Sequence, residues 1–268
     1  MLDVEFGQAT HAGKIRPTNE DATGCFVPKN RQQARSHGWL FALADGVGGT
    51  DLGEVASAKA MEVLCAGFEQ APENTSLLAL LPRLIQHANA AVHDEGLARE
   101  RRGKTMATTV VACALRHDQA VVAHVGDSRC YHVRDGRAAP LTHDHTWVNE
   151  QRRLGLISAA EIAASDKRHV LTRSLGPELF ISADTTSVAL RPGDLLILCC
   201  DGLYNGLSDR DMGRIASQAK TPEALAKELV ETSVEQDGSD NTTAIVVAIR
   251  SVEAMAMYRG RLYPRPGG

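Results

Sequence analysis

Phe41-Ala42-Leu43-Ala44-Asp45-Gly46-Val47-Gly48-Gly49-Thr50 is an apolar run that ends on one carboxylate and passes into a glycine cluster. Phe41 to Ala44 carry no polar side-chain atom, so they read as a buried strand, and Asp45 falls where that strand leaves the core. A carboxylate at such a point can take a metal ion. Gly46, Gly48 and Gly49 allow a tight turn and bring bare backbone close to whatever Asp45 binds, so a carbonyl can join as a second ligand. Taken alone, the stretch also fits an ordinary strand end closed by a turn aspartate.

Outward from this stretch, the same arrangement recurs. Leu195-Leu196-Ile197-Leu198-Cys199-Cys200 runs into Asp201-Gly202, and Ser239-Asp240-Asn241 precedes the apolar run Thr243 to Ile249. Near the front stands Arg16-Pro17-Thr18-Asn19-Glu20-Asp21. Hard divalent cations want several oxygen ligands, and carboxylates at strand ends can converge on one point although they are far apart in the chain. One arginine beside them suits a phosphate.

The chain of 268 residues, 43% hydrophobic, is long enough for one substantial core. A net charge of −4 and a pI near 6.2 argue against a general nucleic-acid binder. The basic cluster Arg99, Arg101, Arg102 and Lys104 is short, is broken by Glu100, and reads as a solvated helix end. No apolar run approaches the ~18 residues of a membrane helix, and the first residues lack the basic and apolar regions of a secretory signal. The six cysteines show no C-x-x-C and no zinc-type spacing, which fits buried thiols in a cytoplasmic protein.

Periodicity predicts strands at Val4 to Gly13, Ala22 to Val27 and Gly38 to Ala44. From Asp51 apolar residues fall at three- and four-residue steps, predicting a helix opened by an Asp51/Glu54 capping box. A second long helix follows from Leu77, with Pro82 either opening it or kinking it. Thr105 to Leu115, Ala120 to Val125 and Arg129 to Val133 read as three neighbouring antiparallel strands, with Asp135-Gly136 as a hairpin turn. Between Leu141 and Gly176 the chain is polar and weakly helical, with short helices expected at Trp147 to Leu154 and Ser158 to Ala164, and reads as a mobile cover over the site. Strands at Val170 to Leu175, Phe180 to Val188 and Asp194 to Cys200, helices at Ser208 to Gln218 and Thr221 to Gln236, and a closing strand from Thr243 to Arg250 complete one domain over 1–250. Residues 251–268 read as a loosely ordered tail. Runs of strands followed by paired helices lack the alternation of a parallel doubly wound fold, so an α+β arrangement of two antiparallel sheets covered by helices is expected.

The motifs together resemble the metal-dependent serine/threonine protein phosphatases of type 2C, the PPM family, in their compact bacterial form. The resemblance spans about Val4 to Arg250. It rests on Arg16-x-x-Asn19-Glu20-Asp21, Ala44-Asp45-Gly46-Val47-Gly48-Gly49, Thr105-Met106-Ala107-Thr108-Thr109, Val125-Gly126-Asp127-Ser128-Arg129, Leu141-Thr142-His143-Asp144-His145, Leu171-Thr172-Arg173-Ser174-Leu175-Gly176, Cys200-Asp201-Gly202-Leu203 and Ser239-Asp240-Asn241-Thr242-Thr243, in the family's order. It implies a four-layer α-β-β-α sandwich, two antiparallel sheets flanked by helix pairs. The implied activity is hydrolysis of phosphoserine and phosphothreonine monoesters by in-line attack of a water bridging two Mn²⁺ or Mg²⁺ ions.

Carried over residue by residue, the resemblance implies that Asp45 bridges the two ions. The Gly46 carbonyl and, directly or through water, Glu20 and Asp21 would share one ion, and Asp201 and Asp240 would hold the other. Arg16 is implied to bind the substrate phosphate, and Asp127 to hold a weaker third ion that it shares with Asp201. Members with a histidine in the glycine cluster have a candidate general acid there, whereas this chain has Val47. The proton donor is then a water held by Asp127, or His143 or His145, although a His-x-His pair also fits a loop that caps a helix. Trp147, large and apolar in a polar segment, is either a satellite core or a substrate contact. The implied partners are phosphorylated proteins and an opposing serine/threonine kinase, for a monomeric cytoplasmic enzyme without nucleic-acid binding or membrane insertion.

Other classes fit less well. A phosphatase-like module that only docks phosphoproteins predicts missing carboxylates, yet Asp45, Asp201 and Asp240 are present. Gly103-Lys104-Thr105 suggests a nucleotide-binding loop, but six residues separate Gly96 from Gly103 where such a loop has four. Asp237-Gly238-Ser239-Asp240 lacks the downstream glutamate of a calcium loop.

Overall fold

In the computed structural model, which describes residues 1–47, 52–100, 106–158, 161, 165, 167–258 and 261–264, the run around Phe41 forms strand β3 (Trp39–Asp45). Its apolar residues are continuous because both faces are covered. Leu40, Ala42 and Ala44 face the helices on one side, while Trp39, Phe41 and Leu43 pack against the opposite sheet. The remaining strands of this sheet are β2 (Asp21–Phe26), β4 (Val110–Arg116), β5 (Gln119–Val125) and β8 (Asp184–Ala189), in the order β2-β3-β4-β5-β8. The second sheet runs β1-β10-β9-β6-β7, from β1 (Asp3–His11), β6 (Arg129–Arg134), β7 (Arg137–Pro140), β9 (Leu195–Cys199) and β10 (Thr242–Ser251). All pairings are antiparallel.

Helices α2 (Gly53–Glu69) and α3 (Leu77–Glu100) cover the first sheet, and α5 (Asp201–Gly206), α6 (Asp209–Ala216) and α7 (Pro222–Gln236) the second. Short helices α1 (Arg31–Ser36) and α4 (Trp147–Arg153) lie in connections. This is the four-layer α-β-β-α sandwich. Its middle core joins Phe41, Leu43, Val111 and Cys113 to Leu196, Leu198, Ile245 and Val247. Each such side chain contributes about 1.5–3 kcal/mol by leaving water.

Several local expectations need correction. Of the three strands expected side by side, β4 and β5 do pair antiparallel, but β6 crosses to the second sheet. The cause is the connection at Gly126, whose φ of +102° lies in the left-handed region and whose Cβ, if present, would sit 2.6 Å from Thr109 Cβ. The Asp135-Gly136 turn does form, both residues at positive φ. The N-cap of helix α2 is Leu52, with no side-chain hydrogen bond, and Asp51 of the expected Asp51/Glu54 box lies outside the described residues. Pro82 sits inside α3 and does not open it.

Val170 to Leu175 makes only isolated bridges, Leu171 to Thr146 and Leu175 to Thr108, and β8 begins at Asp184 and not at Phe180. Periodicity does not reveal helices α1 and α5, because each is six residues long, too short to show a period. Most of the helix expected at Ser158 to Ala164 falls outside the described residues. The tail is more structured than expected: β10 extends to Ser251, and β11 (Met255–Tyr258) pairs with β12 (Arg261–Pro264). Among the described residues, no helix is long and apolar enough to cross a membrane.

Candidate metal and phosphate site

The antiparallel registers bring several strand ends to one edge of the sandwich. β3 ends on Asp45, directly across from Asp21 at the start of β2. On the other sheet β9 delivers Cys200 and then Asp201 in the first turn of α5, beside the start of β10, which Asp240 and Asn241 precede. The result is a cavity of about 500 Å³ lined by Arg16, Glu20, Asp45, Gly46, Asp127, Asp201 and Asp240, among others. Asp21 stands behind Asp45 and bridges the sheets, accepting from Thr243 Oγ1 at 2.5 Å.

The backbone of Asp45 is fixed, while among the described residues no hydrogen bond or ion pair engages its carboxylate. Its N–H donates to Thr109 Oγ1 at 3.2 Å, and its carbonyl accepts from the Thr109 N–H and the Thr108 hydroxyl, both at 2.8 Å. Gly46 is packed so closely that a Cβ there would lie 2.6 Å from the Gly53 carbonyl carbon and 2.8 Å from Glu20 Cβ. Only glycine lets the turn, the start of α2 and the Glu20 side chain meet.

The acid groups strain against one another. Burial, then Asp21, Asp201, Asp127 and Asp240, pushes the Asp45 carboxyl well above its ordinary range. Burial, with Asp201 and Asp240, raises Asp21 to about 6, and burial with Asp201 and Asp144 raises Asp127 to about 7. Glu20 is raised by burial and by Glu54. Among the described residues Asp21, Asp45 and Asp127 have no ion-pair partner, and Asp21 Oδ1 is buried without a hydrogen bond. Clustered oxygen donors that lack a counter-charge, one of them orphaned, fit hard divalent cations such as Mn²⁺ or Mg²⁺.

The Cys200 thiol also lies within 4.8 Å of ligand atoms on Asp21 and Asp45. It donates to the Asn241 carbonyl at 3.3 Å and accepts from the Thr243 N–H at 3.1 Å, and burial with the neighbouring carboxylates holds it protonated. That assigns it to packing and not to ligation.

Arg16 and Asp240, to which the family resemblance gives separate roles, form an ion pair of 2.6 Å. This engages Arg16 Nη2 and leaves its other N–H groups for an anion. The loop carrying Arg16 and Glu20 is held by Asn241, which accepts from the Glu20 N–H at 2.8 Å and donates to the Thr18 and Ala12 carbonyls at 2.9 and 3.0 Å. Asn241 carries no mark of a ligand in the sequence because its role is to shape backbone. Its only signal was its place in the Asp240-Asn241-Thr242 motif.

His143 and His145 do not line this cavity. The His145 ring accepts from the Gly126 N–H at 3.1 Å and stacks on His124 at 4.6 Å, and burial, with His124, pushes it down to about 4. It holds the Gly126 crossover in place. A different imidazole reaches the cavity: His169, whose Nδ1 lies 3.6 Å from Asp201 Oδ2. No sequence pattern marked it. Trp147, half-buried at the start of α4, does not line the cavity; Lys167 Nζ lies 4.9 Å from its ring centre and its N–H donates to the Val170 carbonyl at 2.8 Å.

The family model described as Protein phosphatase 2C matches residues 17–236. The serine/threonine phosphatase stp of Listeria innocua is 33% identical over 260 residues, covering 94% of this chain and 96% of its own length. Among solved structures, Stp1 from Staphylococcus aureus superposes with a TM-score of 0.83 at 29% identity, over 94% of this chain and 96% of that one. The catalytic domain of the protein phosphatase PstP, solved in complex with two manganese ions, has a TM-score of 0.77 at 29% identity, over 94% and 100%. Sequence, fold and the unpaired carboxylates at the strand ends agree: the chain belongs to the protein phosphatase 2C family.

Proposed function

We propose that this chain, as a metal-dependent protein serine/threonine phosphatase, works through the cavity at the strand ends, with Asp45 as its central ligand. The observation that carries the assignment is the group of carboxylates raised by burial and mutual repulsion, with Asp21 Oδ1 orphaned. Asp45, Asp201 and Asp240, with Glu20, Asp21 and the Gly46 carbonyl, would hold two Mn²⁺ or Mg²⁺ ions, and Asp127 with Asp201 a weaker third. When bound, the ions supply an acidified water and positive charge toward the phosphoryl oxygens. Arg16 presents its free N–H groups to the phosphate and is kept at the cavity by Asp240 and by the loop that Asn241 holds. His169 is placed to hand a proton to the leaving oxygen, a role that Val47 cannot fill. A His169→Gln enzyme should then lose more turnover on phosphothreonine peptides than on an aryl ester, whose leaving group needs no proton; equal losses would remove that role.

The deciding experiment is hydrolysis of phosphothreonine peptides by the purified protein. Activity should require added Mn²⁺ or Mg²⁺, vanish on chelation and survive thiol alkylation; the reverse pattern would assign the chemistry to a cysteine. Phosphoproteins as substrates follow from the family. An opposing serine/threonine kinase, a monomeric state and a cytoplasmic location belong to the same proposal. Phosphoproteomics of a strain lacking the protein would test the first, light scattering the second and cell fractionation the third.

A further inference from the structure

The acidic cavity does not stand alone. It shares Arg168, His169 and Asn205 with a neighbouring cavity of about 520 Å³. That one shares Arg129, Asp144, Asn149 and Arg152 with a third, of about 570 Å³. The three form a continuous groove that runs from the candidate metal site past the C-terminal turn of α4.

The charge along the groove changes sign. At the metal end, six carboxylates, Glu20, Asp45, Asp127, Asp201, Asp237 and Asp240, line the cavity with two arginines, Arg16 and Arg168, among the described residues. Further along, every carboxylate is already engaged. Asp144 takes the Arg129 fork at 2.8 and 2.6 Å, Asp184 takes Arg173 at 2.7 Å, and Glu150 accepts from the Thr172 hydroxyl at 2.6 Å. Three exposed cations remain, Arg152, Arg153 and Arg168, none with a carboxylate partner among the described residues. Arg152 and Arg153 stand in the last turn of α4, where cations also favour the helix carbonyls. That effect does not account for Arg168, which lies outside any helix at the junction with the metal cavity and donates from Nε only to His169 Nε2. The floor beneath them is rigid: the Arg129 guanidinium lies 3.5 Å from the Tyr204 ring centre, and Tyr204 Oη donates to the Asp127 carbonyl at 3.2 Å.

We infer that this groove reads acidic side chains beside the phosphorylated residue, so that the preferred substrates are phosphopeptides with aspartate or glutamate flanking the phosphoserine or phosphothreonine. The inference rests on the phosphatase reading of the adjoining site and names a substrate class for it. The phosphate would enter the metal cavity while the flanking carboxylates meet Arg168, Arg152 and Arg153 along the groove. Exposed pairs of this kind each add little, so the discrimination is modest and sensitive to salt.

The test uses the purified full chain with Mn²⁺ and three phosphothreonine peptides of equal length, flanked by aspartate and serine, by serine alone, or by lysine and serine. The acidic peptide should show a kcat/KM about three- to tenfold above the neutral one, with the ratio shrinking at high ionic strength. In an Arg152→Glu/Arg153→Glu enzyme the order should shift toward the lysine peptide, a change that misfolding does not produce. Equal kcat/KM for the acidic and neutral peptides in the parent enzyme, or an acidic preference that survives charge reversal, overturns the inference and leaves the phosphatase reading intact. Failure to hydrolyse any of the three peptides with Mn²⁺ takes both readings down.

Discussion

The acidic cavity at the strand ends and the groove beside α4 are both rich in carboxylates, yet they treat them in opposite ways. In the groove each carboxylate has a partner: Asp144 has Arg129 and Asp184 has Arg173. In the cavity Asp21, Asp45 and Asp127 face one another without a cation from the described residues, and their carboxyl groups are raised. Burying paired charges builds scaffold. Burying unpaired ones costs free energy, which only a ligand of opposite charge offsets. The difference marks which acids are there to hold the fold and which to hold something else.

The largest break in that contrast comes from Asp45→Asn. Removing the central carboxylate should lower Mn²⁺-dependent turnover of an aryl phosphate on the order of a thousandfold, as the loss of a preorganised electrostatic group does. In metal-free protein the same change relieves repulsion and should raise the melting temperature. Near-normal turnover would remove Asp45 from the centre of the site.

The groove should respond in the opposite sense. Arg129→Met leaves Asp144 without its fork and should destabilise the protein by about 3 kcal/mol in a denaturant titration. A loss within ~0.5 kcal/mol would show that the pair is not structural.

pH separates the two regions further. Asp21 and Asp127 have folded-state values raised to about 6 and about 7. Their favourable contribution is therefore present below the unfolded carboxylate range near ~3.9 and is lost as pH rises through those values. Chelated protein should melt several degrees higher at pH 5.5 than at pH 8, and Mn²⁺ should reverse the trend by competing with protons. For Asp184, burial raises the carboxyl but Arg173 and His145 outweigh it, and the net shift is down. Its contribution is present above the ordinary carboxylate range and fades as pH falls through the depressed value. Identical melting at pH 5.5 and 8 without metal would contradict the unpaired state of the cavity acids.

The smallest expected effect is that of Trp147→Ala. With Lys167 over its ring and the cavity elsewhere, this residue should alter the ranking among phosphopeptides by a few-fold and spare the aryl phosphate. A uniform loss, aryl ester included, would assign it to folding of the 141–176 segment alone.

Much of this architecture is written in the chain. β3 and β9 are continuous apolar runs because each is covered on both faces, and continuity of that kind survives in sequence as a simple pattern. Asp45 and Asp201 could be picked out because each ends such a run, and a strand end is where a side chain leaves the core. What the sequence did not determine depends on which remote groups meet. The crossing of β6 to the second sheet turns on one φ angle at Gly126. The pairing of Arg16 with Asp240 joins residues 224 positions apart. His169 reaches the cavity, while His145 goes to packing, through the path of an irregular segment that has no periodicity to read. Local pattern encodes burial and strand ends, because these follow from how neighbouring side chains meet water. The partner of a charged group is set by distances across the fold, and only the tertiary structure supplies them.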